Sequence, residues 1–297
     1  MPAAPRVSVL IPCYHSHTTL GACLAALKRQ TMTSFEVVVV NSSQDAETGR
    51  VVQREMPEAV FSQCDKRLLP HAARNRAAAM ASGEILVFTD PDCRLCPEAL
   101  QLMVRAIESG HDPVGGAVEG EDADGWFLRG VHYCKFSWWL SGGWAEIRPD
   151  VPTAIVAYSR DLWLRVGPFM EEYFCGDTLL SYRLLELGCR PWFEPRIRVW
   201  HTHRCNLRGF LAERYQRGAD FGRARWRFQS WSRARLALYL AAVPALPAVM
   251  AGRSLRYSAG SGRLLEALGA LPLIFSGNAA WCLGEAVSHW RGLWRNS

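Results

Sequence analysis

Apolar runs alternate with amphipathic stretches through the first two thirds of the chain. Val7 to Ile11 is short and rich in β-branched residues and ends at Pro12, which predicts a buried strand. Thr19 to Gln30 sets Leu20, Cys23, Leu24 and Leu27 at helical spacing behind Thr19 as N-cap. Phe35 to Val40 predicts a second strand, Ser42 to Glu47 a polar loop, and a helix follows from about Thr48. Ala72 to Ser82 reads as a helix stopped by Gly83. Glu84 to Thr89 is a third strand that runs straight into Asp90-Pro91-Asp92, and Pro97 opens the next helix. Strands that are apolar throughout and separated by helices imply a mostly parallel, Rossmann-like sheet covered on both faces, an α/β fold. Ligands on such sheets bind beyond the carboxyl ends of the strands, so the polar residues there are the ones to read for chemistry. Farther on, 115–144 reads as irregular, Leu162 to Gly167 and Thr178 to Gly188 as helical, and Arg196 to His201 as a strand.

The pattern changes after residue 220, which divides a domain of residues 1–220 from a helical tail, 221–297. Leu236 to Met250 is almost wholly apolar but holds Pro244 and Pro247; Leu264 to Val287 holds Glu266, Asn278 and Glu285. Neither supplies the roughly 20 clean apolar residues of a transmembrane helix. Trp226, Trp231, Trp281, Trp290 and Trp294 flank them, with arginines, as in helices lying in a membrane interface. The other reading is a helical subdomain packed on the core or on a second copy of the chain.

Charge sharpens this picture. The net charge is +6, and Arg204 to Arg235 carries nine arginines opposed only by Glu213 and Asp220. Such a stripe faces phosphate in some form. Nucleic acid is not the expected partner, because the stripe abuts apolar helices and no recognition motif appears. Hydrophobic residues at 49% and charged residues at 21% exclude disorder, collagen and coiled coil. The 10 cysteines are scattered, unlike a secreted disulfide scaffold, and Met1-Pro2-Ala3-Ala4-Pro5-Arg6 does not open as a signal peptide. A reducing, cytoplasmic setting is expected.

Asp90-Pro91-Asp92 is the sharpest chemical signal. Two carboxylates at i and i+2 beyond a buried strand suit a divalent cation with hard oxygen ligands, though such pairs also occur in ordinary turns. Cys93-Arg94-Leu95-Cys96 with His201 and His203 offers a zinc alternative, against buried thiols. His15, His17 and His71 read as loop residues. Asp177, behind Gly176 at a helix start, is either an N-cap or a base favoured by the helix dipole.

An ordered series extends from residue 6 to 205. It comprises Val7-Ser8-Val9-Leu10-Ile11-Pro12-Cys13-Tyr14, Phe35 to Ser43, Ala73-Arg74-Asn75-Arg76, Ser82 to Asp90, Val151 to Arg160, Cys175 to Leu184 and Val199-Trp200-His201-Thr202-His203. In this order it resembles the family 2 glycosyltransferases, which have the GT-A fold. The resemblance implies inverting transfer of a sugar from a nucleotide-diphosphate sugar, a UDP-sugar being the expected donor, to a glycan or lipid-linked acceptor. Pro12 and Tyr14 would border the nucleobase, Asn41 would stand where the family usually has a base-binding Asp, and Arg74 would lie near base or diphosphate. Asp90 would touch ribose or metal, Asp92 would ligate Mg²⁺ or Mn²⁺, His201 would be a further metal or diphosphate contact, and Asp177 would be the general base. Trp144 and Arg183 are further candidate substrate contacts, with a structural turn and a local ion pair as their alternatives. Two departures stand out: Asn41 lacks a charge, and Gly176 replaces the usual Glu. The expected site of action is the cytoplasmic membrane face, peripheral or monotopic, with self-association left open. A nucleotidyltransferase and a non-catalytic scaffold of the same fold are the rival readings.

Overall fold

The computed structural model describes residues 4–121, 125–229 and 231–294. Met1 to Ala3 and the Trp294 side chain, both used in the sequence reading, lie outside what is described. The elements open with β1 (Val7–Cys13), α1 (His17–Lys28), β2 (Phe35–Asn41), α2 (Glu47–Glu55), β3 (Val60–Gln63), α3 (Pro70–Met80) and β4 (Ile85–Thr89). They continue with β5 (Cys93–Leu95), α4 (Ala99–Glu108), β6 (Val114–Glu119), α5 (Trp126–Phe136), β7 (Glu146–Ile147), β8 (Ile155–Ser159) and α6 (Arg160–Val166). The chain closes with α7 (Gly176–Glu186), β9 (Trp192–His201), α8 (Leu207–Phe228), α9 (Arg233–Ala242), α10 (Leu246–Gly260), α11 (Leu264–Gly269) and α12 (Leu271–Trp294).

These elements form two compact units. The first runs to Glu119 and adds Gly143–Glu172 and Gly176–Thr202; the second is Gly120–Gly142, Tyr173–Cys175 and the chain from His203. The division expected after residue 220 falls inside α8, which is unbroken from Leu207 to Phe228, and the helical unit takes all of it.

In the first unit the sheet runs β3-β2-β1-β4-β8-β6-β9-β5, with β7 on β9. β1, β2, β3 and β4 are parallel; β1, β2 and β4 are the buried apolar runs, while β3, Val60-Phe61-Ser62-Gln63, is an exposed edge strand. Beyond β4 the directions mix. β8 is antiparallel to β4 and β6, β9 is parallel to β6, and β5 is antiparallel to β9. β1 continues through Pro12 to Cys13. Its pairing with β4 has stopped at Leu10, so the missing proline N–H interrupts no ladder on that side.

The segment read as irregular contains β6 and α5. Glycines hid the strand: a Cβ at Gly116 would lie 2.4 Å from the Ile197 carbonyl oxygen, at the register shift between β6 and β9, so only glycine fits there. The core of this unit gathers Leu10, Val38, Leu86 and Val156 around an aromatic cluster of Phe88, Tyr158, Trp163 and Phe169.

In the second unit α8 and α12 meet at backbone distance. A Cβ at Gly218 would sit 2.1 Å from the Trp281 carbonyl oxygen, and one at Gly284 2.0 Å from that of Tyr215. Val131, Leu140, Phe210 and Ile274 form its core. Two of the three polar residues that interrupt the apolar tail are interior: Asn278 is buried, and buried Glu285 accepts hydrogen bonds from Arg225 (2.7 Å) and Trp281 (3.3 Å), while Glu266 is exposed. Among the described residues no single helix is long and apolar enough to cross a membrane; α9 and α10, bent by 74°, meet that test of length and composition only together.

Candidate active site

The parallel register fixes where the chemistry gathers. Cys13 of β1 stands beside Asn41 of β2, and Leu10 beside Phe88 of β4, so the chain leaves all three strands on one edge of the sheet. There, half-exposed Tyr14 carries the Arg67 guanidinium over its ring at 4.6 Å. Pro12 is buried behind it in the strand.

Asn41 reaches the expected edge, but its carboxamide is used internally. The Oδ1 atom accepts from the Ser43 N–H (3.3 Å) and lies 2.7 Å from the Ser43 hydroxyl, whose single hydrogen is shared with Asp45, and Nδ2 donates to Gln63 Oε1 (2.9 Å) and the Ser43 carbonyl (3.3 Å). Both amide hydrogens are therefore engaged within the protein. The acidic group at this edge is Asp45, four residues on. Burial alone would raise its pKa, but hydrogen bonds from Ser43 and Thr48 hold it at about 2.

The acidic turn is closed by β9. Cys93 pairs with His201 in the β5–β9 ladder, and the Thr202 N–H donates to the Asp92 carbonyl at 2.9 Å. His201 Nε2 therefore lies 3.6 Å from Asp92 Oδ2. Ligand atoms of Asp90, Asp92, Cys93 and His201 all fall within 4.8 Å of one another. Burial, with the Asp92 and Asp90 carboxylates beside it, pushes the Cys93 thiol well above its usual range. The hard donors of this group are the two carboxylates, with the imidazole and the softer thiol beside them. The zinc alternative is not assembled: Cys96 donates to the Arg196 carbonyl (3.7 Å), while His203 lies in the second unit, 3.1 Å from His132 Nδ1.

Helix α3 ties this turn to Asp177. His71 and Arg74 lie three residues apart on one buried face of the helix, which Pro70 starts. Arg74 is ion-paired with Asp90, and its NH1 lies 3.3 Å from His71 Nδ1. Guanidinium can only donate, so Nδ1 must accept and the imidazole hydrogen sits on Nε2. That nitrogen is 4.0 Å from Asp177 Oδ1, in the first turn of α7. Asp177, His71, Arg74 and Asp90 thus form a polar row, with the Asp177–His71 step at 4.0 Å too long for a direct hydrogen bond. Arg74 Nε is buried with no partner among the described residues, a donor left over for a ligand. Asn75 anchors the entry to α7, accepting from the Phe169 N–H and donating to its carbonyl, both at 2.9 Å.

Gly176 has a steric cause. A Cβ there would meet His71 Cδ2 and the Met170 carbonyl oxygen, each at 2.7 Å. The imidazole fills the space that a larger residue would need.

Of the two further candidate contacts, Arg183 is engaged within the protein and Trp144 is open to solvent. Arg183 donates to the carbonyls of Pro168 (2.9 Å) and Val166 (3.3 Å), which explains its place on α7 without a substrate or an ion pair. Trp144 is 89% exposed just before β7. His71, read as a loop residue, is buried on α3; the His71-x-x-Arg74 spacing was the signal for it. Arg67 and Asp45 carried no signal of their own.

Three comparisons bear on this site. A family model described as glycosyl transferase family 2 matches residues 8–164. Glycosyltransferase AglE of Haloferax volcanii is 37% identical over 245 residues, covering 70% of this chain and 78% of that protein. The probable glycosyltransferase YdaM of Bacillus subtilis is 24% identical over 67% of this chain, which spans only 51% of YdaM. Among solved structures, the Pyrobaculum calidifontis mannosyltransferase PcManGT, in complex with GDP-Man and Mn²⁺, shares the fold with a TM-score of 0.64 at 22% identity, over 100% of this chain and 89% of that one. Staphylococcus aureus TarS 1–349, in complex with UDP, aligns with a TM-score of 0.53 at 20% identity, over 97% and 92% of the two chains.

Proposed function

Because the chain belongs to glycosyl transferase family 2 and is a glycosyltransferase, we propose that it inverts the anomeric centre of a nucleoside-diphosphate sugar while moving that sugar to an acceptor hydroxyl. The observation that carries this reading is the polar row from Asp177 through His71 and Arg74 to Asp90. It runs from a carboxylate suited to take a proton to the acidic turn suited to hold a diphosphate.

Asp90, Asp92 and His201 would hold a divalent cation, Mg²⁺ or Mn²⁺, and the imidazole nitrogen favours Mn²⁺ because Mg²⁺ demands oxygen ligands. One contribution comes from such a cation, the neutralisation of charge on the departing diphosphate. The remaining work belongs to the protein. Asp177 accepts the proton of the attacking hydroxyl as the new glycosidic bond forms. The Thr178 N–H donates to the Oδ1 of that carboxylate at 2.9 Å, and His71 faces it across 4.0 Å with its hydrogen on Nε2. Arg74 donates its spare Nε–H to the donor nucleotide. Tyr14 and Arg67 offer a flat cationic face for the base, a UDP-sugar being the expected donor, and the GDP-Man and UDP of the two structural neighbours bracket the choice. Exposed Leu238, Leu265 and Phe275, in the unit that also carries the arginine-rich α8, support action at the cytoplasmic face of a membrane, on a glycan or lipid-linked acceptor.

The test is product analysis with UDP-, GDP- and TDP-sugars in Mn²⁺ or Mg²⁺. Release of nucleoside diphosphate is expected. Asp177→Asn is expected to lose at least 100-fold in transfer while binding nucleotide as the parent does, by the usual scale of a general base. Pyrophosphate as product would establish nucleotidyl transfer instead, and full activity in Asp177→Asn would remove its role.

A further inference from the structure

Helices α9 and α10 present an uncharged tip to solvent. From Leu236 to Gly252 the sequence carries no charged residue, and its one polar side chain, Tyr239, packs on the buried His289 ring with centroids 4.9 Å apart. Around the bend between the two helices Leu238, Ala241, Pro244, Ala245, Ala248 and Val249 are exposed, Leu238 by 72% and Val249 by 57%. The inner side is held. Leu236, Pro247 and Ala251 are buried, and both arms lie on α12.

The charges stand at the two outer ends. Arg235 lies nine residues before Pro244 and Arg253 nine residues after it. Both arginines are exposed, and each sits over a tryptophan: the Arg235 guanidinium is 4.3 Å from the Trp231 ring centroid, and that of Arg253 is 5.0 Å from Trp138. Arginine beside tryptophan is the composition that suits the headgroup layer of a membrane.

Geometry sets the depth. Drawn out straight, the uncharged stretch would reach about 25 Å at about 1.5 Å per residue, short of the roughly 30 Å hydrocarbon core. It is instead bent by 74°. Each arm from arginine to bend is about 13 Å long, so the tip stands about 8 Å beyond the line joining the two arginines (about 13 Å × cos 53°), within the roughly 5–10 Å to which interfacial helices sink. A spanning segment would put its two arginines on opposite membrane faces, whereas this bend keeps both on one side. A second copy of the chain is a poorer occupant. The sequence has no acidic residue between Asp220 and Glu266, so a self-complementary contact through these two helices sets cations against cations, while anionic headgroups supply the opposite charge.

We propose that α9 and α10 form a wedge that enters one leaflet of an anionic bilayer and leaves on the side it entered, with Arg235 and Arg253 at the headgroup phosphates. This deepens the membrane-face reading and rests on it, not on the chemistry of transfer.

The experiment measures partition of the full chain into vesicles of phosphatidylcholine with phosphatidylglycerol, and of phosphatidylcholine alone. The parent is expected to bind the anionic vesicles. Ala245→Glu and Val249→Glu, both at exposed positions, are each expected to weaken that binding at least fivefold with Tm and nucleotide binding unchanged, and Leu265→Glu, outside the wedge, less than twofold. Arg235→Gln and Arg253→Gln are expected to lose about fivefold each on anionic vesicles and little on phosphatidylcholine alone. A fluorophore on Ala245→Cys, corrected for label taken up by the parent, is expected to be quenched more by bromines near the headgroup end of the acyl chains than by bromines near the methyl end. Stronger quenching at the methyl end would replace the wedge with a spanning segment. Tip variants that bind as the parent does would overturn the wedge and leave membrane contact elsewhere, whereas a parent that binds neither vesicle would overturn the membrane reading with it. A lipid-free dimer that Val249→Glu dissociates would give the face to a second copy instead.

Discussion

Replacing Gly176 by alanine adds one methyl group, and the structure sets what that methyl meets. It would lie 2.7 Å from His71 Cδ2 and 2.7 Å from the Met170 carbonyl oxygen, where ordinary carbon contacts lie at about 3.5–4.0 Å. One neighbour is backbone. The other is a ring 2% exposed, held by Arg74 at 3.3 Å and against Phe169 with centroids 4.9 Å apart. Neither yields cheaply, so overpacking should cost about 1–3 kcal/mol. The better helix propensity of alanine returns up to about 0.5–1 kcal/mol, less at a first helical position. A net loss of about 1–2 kcal/mol lowers Tm by roughly 2–3 °C for a chain of this size. Because the displaced ring is the group facing Asp177, transfer should fall by about tenfold to a hundredfold, the scale of a misplacement near 1 Å. Thermal melts and steady-state transfer measure the two effects together. His71→Ala in the Gly176→Ala background removes the ring contact but leaves the Met170 carbonyl, so it should restore part of the stability and none of the activity. A Gly176→Ala protein that melts and turns over like the parent would refute the steric account and the coupling of His71 to Asp177.

Two further outcomes follow from charge and exposure. Asp45 is held at about 2, below its unfolded value, so the stability it contributes is present above pH 4 and fades as pH falls towards 2; Asp45→Asn should lose about 1–2 kcal/mol at pH 7 in urea melts, and the gap to the parent should narrow by pH 3. Leu238 and Leu265 are 72% and 84% exposed, so changing both to glutamate should leave Tm within about 1 °C, as for surface substitutions, yet reduce sedimentation with anionic vesicles severalfold; unchanged sedimentation would count against membrane contact through this face.

β1, β2 and β4 were legible because they are buried apolar runs punctuated by helices; the exposed edge strand β3, with only Val60 and Phe61 apolar, was not predicted. β6 was not: two adjacent glycines look like a loop in sequence, and only the approach of Ile197 explains Gly116. Asp90, Asp92 and His201 were legible as a set from their order along the chain, and the β5–β9 ladder brings them together. The committed carboxamide of Asn41 was not, since it depends on Ser43 and on Gln63 from a neighbouring strand. His71 escaped because a histidine beside a proline looks solvent-facing until the helix that it belongs to is seen to lie on the sheet. Arg183 was overread because helical position alone does not reveal which carbonyls a long side chain meets.

The glycine contacts between α8 and α12 bear on how this protein can be handled. Trimming the hydrophobic C-terminus is a common route to a tractable enzyme, but here the last helix is seated on α8 with no gap for even a methyl group at Gly218 or Gly284. Shortening the chain before α12 would strip α8 of its neighbour and bare glycine-lined backbone to solvent. Solubility is better sought by recharging single outward leucines than by cutting.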